Sequence, residues 1–206
     1  HTEQKDSWFW YIPLEDDVTS VGVVGDQTYL LKGQSKPEEV FEQQLAICPA
    51  MQRRLEGAER VDKHFVAKEF TYKAERAAGE GWVLAGDAYS FIDPIYSSGV
   101  FFALYMGEKA ADCVVAGLRS GNLSAEQLAG WVPAFENGAQ WVRKLINAFY
   151  THEFSFGQFV KAHPQHHGAV TDILIGRVFD EDVSEVFRDM ESWMARQAES
   201  SAVAKA

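Results

Sequence analysis

The sequence predicts an α+β chain in which antiparallel strands come first and a helical C-terminal region follows. Three observations carry that expectation. Trp8, Trp10 and Ile12 recur at period two ahead of the β-rich run Thr19-Ser20-Val21-Gly22-Val23-Val24-Gly25. Residues 81–107 read as a buried strand, a tight acidic turn, a proline-containing loop and the start of an apolar helix. Beyond residue 121, Leu128, Trp131, Phe135, Trp141, Leu145 and Phe149 fall near helical spacing. The expected organisation is strands and a helix over 1–80, a strand-loop-helix segment over 81–120 and a helical cap over 121–206.

Each element has its own signal. Glu15-Asp16-Asp17 supplies turn chemistry between the first two strands, and Pro13 ends the first because proline cannot donate to a ladder. A helix is expected from Pro37 through Leu45, with proline and acids in its first turn, and a shorter one after Cys48-Pro49 through Leu55. The β-formers between Val61 and Tyr72, followed by the turn Ala77-Ala78-Gly79-Glu80-Gly81, predict a hairpin into Trp82-Val83-Leu84-Ala85. A long helix begins at Ser98 or Gly99 and reaches about Leu118, where Ser120-Gly121-Asn122 stops it. Its first two turns are apolar all round, so burial is expected there. Ser124-Ala125-Glu126-Gln127 is a capping-box variant opening the next helix. Further helices are expected over 152–161, 165–177 and 182–196, before a polar Ala/Ser tail.

Composition excludes several classes. With 206 residues, 47% hydrophobic and 13% aromatic, the chain has enough apolar material for a core. A net charge of -11 without any Lys/Arg cluster argues against nucleic acid as a partner. Val100 to Met106 is the longest apolar run, far below the ~20 residues a membrane span needs, so no membrane association is expected. The opening His-Thr-Glu-Gln-Lys-Asp lacks the basic-then-apolar order of a signal peptide. Cys48 and Cys113 form no Cys-x-x-Cys pair, and buried thiols in a reducing cytoplasmic compartment are the expectation. A chain that begins at His and enters a strand within a few residues is read as part of a longer protein.

The chemistry concentrates in residues 81–107. Gly86-Asp87 at a strand end lets a ligand approach the backbone while a carboxylate accepts hydrogen bonds from a polyol. Asp93-Pro94 and Ser97-Ser98-Gly99 then open an apolar helix, whose first-turn N–H groups suit an anion or an electron-rich carbonyl. His163-Pro164-Gln165-His166-His167, with His152 and Glu153 nearby, raises a metal reading, but Pro164 between the imidazoles spoils the spacing and no metal site is assigned.

Gly86-Asp87 followed by Phe91-Ile92-Asp93-Pro94-x-x-Ser97-Ser98-Gly99-Val100 resembles the second flavin-binding motif of flavin-dependent halogenases. Upstream, Trp8-x-Trp10-x-Ile12-Pro13 matches the Trp-x-Trp-x-Ile-Pro signature that separates those halogenases from their monooxygenase relatives. The resemblance runs from Trp8 to about Ala111 and implies part of a flavoprotein monooxygenase-like fold. It further implies that Asp87, with Gly86, binds the ribityl chain of FAD and that Pro94 lies near the isoalloxazine. Ser98, Gly99 and Val100 would present amides to the flavin edge and, at Ser98 and Gly99, to chloride or bromide. Trp8, Trp10, Ile12 and Pro13 would shape a tunnel wall. Reduced flavin would come from a partner flavin reductase, and the hypohalous acid formed from halide and oxygen would reach an electron-rich aromatic substrate.

Two departures refine that picture. Tyr96 stands where tryptophan-type members carry glutamate, which resembles the phenol and pyrrole branch, whose substrates are often tethered to a carrier protein. The Gly-x-Gly-x-x-Gly fingerprint and the catalytic lysine have no counterpart. Gly22-Val23-Val24-Gly25 lies in a hairpin, and Lys32, Lys68 and Lys109 read as surface groups. No residue is assigned a catalytic role, and the chain alone is expected to be catalytically silent and to bind FAD weakly or not at all. A hydroxylase or reductase of the same superfamily, or a non-catalytic module, are the alternatives.

Overall fold

A computed structural model of the chain describes residue 2 and residues 7–31, 33, 36–68, 71–151, 154–179 and 183–204, with side chains of the final helix described to 197. The chain divides into two compact units, His1–Lys68 and Glu69–Ala206.

In the first unit, β1 (Ser7–Pro13) and β2 (Thr19–Gly25) pair antiparallel, from Ser7 opposite Gly25 to Pro13 opposite Thr19. The turn between them holds Asp16 and Asp17 at φ +57, a region short polar side chains tolerate. Trp10 lies opposite Gly22 and covers it, so that a Cβ at Gly22 would stand 1.9 Å from the indole. The Trp10 Nε1–H donates to Ser20 Oγ at 3.1 Å on the same neighbouring strand. A short helix α1 (Gln27–Leu30), which the sequence did not announce, starts where the Asp26 carboxylate accepts from the amides of Thr28 and Tyr29. Helices α2 (Pro37–Ala46) and α3 (Pro49–Arg54) both open on proline, whose missing N–H costs nothing in a first turn. Phe41 of α2 meets Phe9 of β1 edge-on at 5.7 Å, and Ser7 donates to Gln44 at 2.6 Å.

The predicted hairpin leading into Trp82 needs correction. Residues 61–68 carry no regular structure and expose Val61, Phe65 and Val66. In the second unit, β3 (Tyr72–Lys73) pairs with β6 (Ser90–Phe91), whereas β5 (Trp82–Val83) pairs with β4 (Ala78–Gly79). Gly81, at φ +75, closes so tight a turn that Trp82 can only meet Gly79, and its ring covers that glycine as Trp10 covers Gly22. Trp82 remains 44% exposed, so this strand is also less buried than expected.

The long helix α4 (Gly99–Ser120) ends as the sequence predicts, at Gly121 with φ +70. Its first turns are not buried all round. Phe102 and Met106 are buried, while Val100 is 74% and Leu104 70% exposed, continuing into exposed Val115 and Leu118. Positions 100, 104, 115 and 118 share the helix side turned away from Phe102 and Met106, so only one stripe reaches the core.

The single helix expected after Ser124 is two. Ser124 caps α5 (Ala125–Leu128) by accepting from Gln127 N at 3.3 Å, and α6 (Val132–Tyr150) begins afresh around Pro133. The next helix, α7 (Phe156–Ala162), starts at its Ser155 cap, since Ser155 Oγ accepts from Gln158 N, and the predicted start at His152 lies outside the described residues. A 3-10 turn at Pro164–His166 precedes α8 (His167–Leu174). Finally, α9 (Ser184–Ala204) runs past Arg196 through the Ala/Ser stretch expected to be a tail, where alanine's high helix propensity sustains it; its predicted start at Asp182 lies outside the described residues.

The core of this unit is helical and strongly aromatic. Phe135, Phe159, Phe187, Met106, Leu145 and Met190 are among its largest fully enclosed side chains. Tyr105 and Phe179 stack at 3.7 Å between centroids, with planes 9° apart. Among the described residues, no helix is long and apolar enough to cross a membrane.

Candidate functional site

Two short turns and a helix start form the cradle in the second unit. Gly86–Ala88 makes one 3-10 turn with Gly86 at φ +59. A Cβ there would lie 3.3 Å from the Cβ of Ala103, so the turn rides against the first turns of α4. Asp87 follows, exposed, and its backbone carbonyl accepts from the Tyr72 hydroxyl at 2.6 Å. This bond holds the turn from the β3 side and leaves the carboxylate facing outward from a fixed backbone.

Two residues on, Tyr89 is only 3% exposed. Its hydroxyl donates to Glu136 Oε1 of α6 at 3.0 Å; Arg143 binds Glu136 Oε2 at 2.9 Å, and Lys73 lies 3.6 Å from Oε1. Burial pushes the Tyr89 phenol up to about 12, reinforced by its bond to the Glu136 carboxylate and by that group's charge. Burial also pushes Glu136 upward, but the charge and hydrogen bond of Arg143, with Tyr89 and Lys73, outweigh it and hold the carboxyl below its usual range. The Tyr89 contribution to stability is therefore whole below the ~10 of an unfolded tyrosine and is lost as pH rises through about 12. In alkaline unfolding experiments, Tyr89→Phe is expected to flatten the decline over that window. Parallel declines in wild type and variant would show that Tyr89 is not responsible.

The second turn, Pro94–Tyr96, is also 3-10. Asp93 caps it by accepting from Ile95 N at 3.0 Å, and Ser97 closes it with N–H donated to Pro94 O at 2.8 Å. Ser97 sits in the left-handed region at φ +54, a conformation a non-glycine residue holds only under local constraint. The chain then reverses into Ser98 and enters α4, with no side-chain cap. First-turn amides of an α-helix lack intrahelical acceptors, so the N–H groups at Gly99 and Val100 make an electropositive end on a 22-residue helix. Beside it, burial, Tyr150 and Asp93 together raise Tyr96 far above the ordinary phenol range, keeping it a neutral donor toward Leu145 O at 3.4 Å.

Gly86, Asp87, Pro94, Ser98, Gly99 and Val100 thus lie on one turn-strand-turn-helix segment, with β6 between the two turns. Trp8, Trp10, Ile12 and Pro13 lie on β1 in the other unit, with Trp8 at 9% exposure and Ile12 at 52%. Lys109 pairs with Glu108 at 3.0 Å, Lys68 is exposed, and Lys32 lies outside the described residues. Among the described residues, no three His, Cys, Asp or Glu converge on a metal position. His163 stacks on Phe159, while buried His166 meets Asp189 at 2.7 Å, a bond that holds the aspartate below its usual range. His152 and Glu153 lie outside the described residues.

Sequence reading missed the supports of the cradle: Tyr72, Tyr89, Glu136, Arg143 and Tyr150. The one available signal was Glu136 and Arg143 seven residues apart, two turns along one helix face. The remaining bonds span 15 to 57 residues and leave no local pattern.

The family model for tryptophan halogenase matches residues 2–197. The 1H-pyrrole-2-carbonyl-[peptidyl-carrier protein] brominase of Pseudoalteromonas luteoviolacea is 32% identical over 174 residues, covering 84% of this chain and 42% of that protein. The corresponding chlorinase of Pseudomonas fluorescens is 26% identical, covering 92% of this chain and 42% of its own length. The solved structure of the flavin-dependent brominase Bmp2 superposes with a TM-score of 0.80 at 28% identity, over 95% of this chain and 50% of that one. A flavoprotein/dehydrogenase from Cytophaga hutchinsonii shares the fold, with a TM-score of 0.77 at 24% identity, over 96% of this chain and 49% of its own. The chain spans about half the length of the relatives it matches. Taken with the Trp-x-Trp-x-Ile-Pro strand and the cradle, these matches show that the chain belongs to the tryptophan-halogenase family of flavin-dependent halogenases.

Proposed function

We propose that this chain supplies the flavin-ring and halide side of a halogenase site, within a whole protein that halogenates a phenol- or pyrrole-type substrate carried on a carrier protein. The observation that carries the reading is the left-handed Ser97, which turns the Asp93-capped loop directly into the unsatisfied amides of α4. Halide recognition needs little more than convergent N–H donors, and Ser98 and Gly99 offer them.

The residues present fit FAD. Glycine at 86 is required by its positive φ, and the approach of Ala103 leaves no slack beneath the turn, so Asp87 projects from a fixed base toward a ribityl chain. Pro94 would flank the isoalloxazine, and the Gly99 and Val100 amides its edge. When bound, flavin reduced by a partner reductase would supply the oxidising chemistry with molecular oxygen as the oxidant. This chain's own residues orient the ring, fix the halide and leave no donor uncommitted at Tyr96. No residue here is assigned to proton transfer or to the reacting halogen, so the chain alone is expected to be silent. A cytoplasmic location fits such a reductase-dependent reaction. The pyrrole-carrier brominase and chlorinase among its relatives favour a carrier-tethered substrate over free tryptophan, as does Tyr96.

The test is reaction of the complete halogenase containing this chain with FAD, a flavin reductase, chloride or bromide, and a panel of phenols and carrier-bound pyrroles, read by mass spectrometry. Halogenated product supports the reading. Hydroxylated product or peroxide alone would move the chain to the monooxygenase side of the superfamily.

A further inference from the structure

We propose that Tyr150, the last residue of α6, is a positioning residue for the halide-binding turn, acting through Asp93. The inference rests on the reading that the Ser98 and Gly99 amides receive the halide.

Asp93 uses both carboxylate oxygens. Oδ1 accepts from Ile95 N at 3.0 Å and caps the Pro94–Tyr96 turn from within. Oδ2 accepts from the Tyr150 hydroxyl at 2.9 Å, across 57 residues of chain. The first bond is local and moves with the turn. The second fixes the turn to a helix whose position is set elsewhere: Leu145 is 1% exposed, Ile146 7% and Ala148 0%.

The same end of α6 holds the turn a second time. Tyr96 donates to Leu145 O at 3.4 Å and meets Phe149 edge-on at 6.1 Å. The turn is thus gripped from outside at two residues, Asp93 and Tyr96, the second immediately before a residue in a sparsely populated backbone region. A non-glycine residue at φ +54 relaxes if its surroundings permit, and relaxation at Ser97 would swing the Ser98 and Gly99 amides that follow it. Charge-assisted bonds to a carboxylate are about twice as strong as neutral ones, which makes Tyr150–Asp93 the stronger of the two grips. Tyr150 is 41% exposed, and Tyr150→Phe keeps the ring that meets Phe149 edge-on at 5.2 Å, so its hydroxyl can be removed without opening a cavity.

The experiment uses the complete halogenase containing this chain, supplied with FAD, labelled with nitrogen-15 and titrated with sodium bromide against sodium fluoride at matched ionic strength. In wild type, the amides of Ser98, Gly99 and Val100 are expected to shift saturably with bromide. In Tyr150→Phe, which keeps the ring, the apparent bromide Kd is expected to rise about 3- to 10-fold, with the thermal midpoint nearly unchanged. The double variant Asp93→Ala/Tyr150→Phe should weaken binding no further than Asp93→Ala alone, because both act through one bond. A purely structural role for Tyr150 would lower the melting temperature and leave the bromide response alone. If wild type responds and Tyr150→Phe binds bromide equally well, the positioning role is refuted while the halide site stands. If wild type shows no response at these amides, the halide site fails and the positioning role falls with it.

Discussion

Phe135→Ala is expected to lower the stability of the second unit by about 3–5 kcal/mol, the cost of emptying a large aromatic site that cannot collapse. Phe135 is 0% exposed and touches rings on four sides: Phe102 at 5.4 Å, Trp131 at 5.8 Å, Tyr89 at 6.0 Å and Phe179 at 6.3 Å. These neighbours come from α4, the α5–α6 junction, the cradle and the segment after α8, so no single element can move in to fill the void. A typical domain has only about 5–15 kcal/mol in total, and the variant should be marginal at ordinary temperature. Because Tyr89 loses a wall, its bond to Glu136 should loosen as well, linking core and cradle. Urea unfolding followed by tryptophan fluorescence measures the loss; a change below about 1 kcal/mol would mean the site relaxes far more than its four-sided packing allows.

Gly138→Ala sets two effects of opposite sign against each other. In an exposed helix interior, replacing glycine by alanine stabilises by about 1 kcal/mol. Gly138 is buried in α6, however, and a Cβ there would lie 2.2 Å from the ring of Phe179. That ring cannot swing aside freely. It is stacked on Tyr105 and flanked by Phe101 at 5.8 Å and Phe102 at 6.0 Å. Overpacking a confined site costs about 1–3 kcal/mol, which exceeds the propensity gain. The variant should therefore melt lower than wild type in a calorimetric scan. A higher melting temperature would show that Phe179 has room that the stacking denies.

The parts of the fold legible in sequence were those with a period or a terminus of their own. Strands β1 and β2, the proline-led helices α2 and α3, and the glycine-stopped α4 all appear where alternation, Pro37, Pro49 and Gly121 place them. Two-residue strands have no period, and so sequence alone does not pair Tyr72 with Phe91. Apolar letters overstate the burial of α4, because each reports a preference for leaving water, while the opposing surface decides whether it does. Val100 and Phe102 differ little in hydropathy and are 74% and 3% exposed. For the candidate site, the motif residues were legible but their supports were not: nothing local in Asp93 announces Tyr150, and nothing in Tyr89 announces Glu136.

The indole of Trp10 occupies the volume a side chain at position 22 would need. A signature written along one strand is thus really a two-strand object, whose fifth member is recorded as a hydrogen atom on the neighbour. Positions 10 and 22 share one volume: a larger residue at 22 fits only where position 10 is smaller. Searching for such strands by their own letters, without the gap across the ladder, uses only half of the pattern.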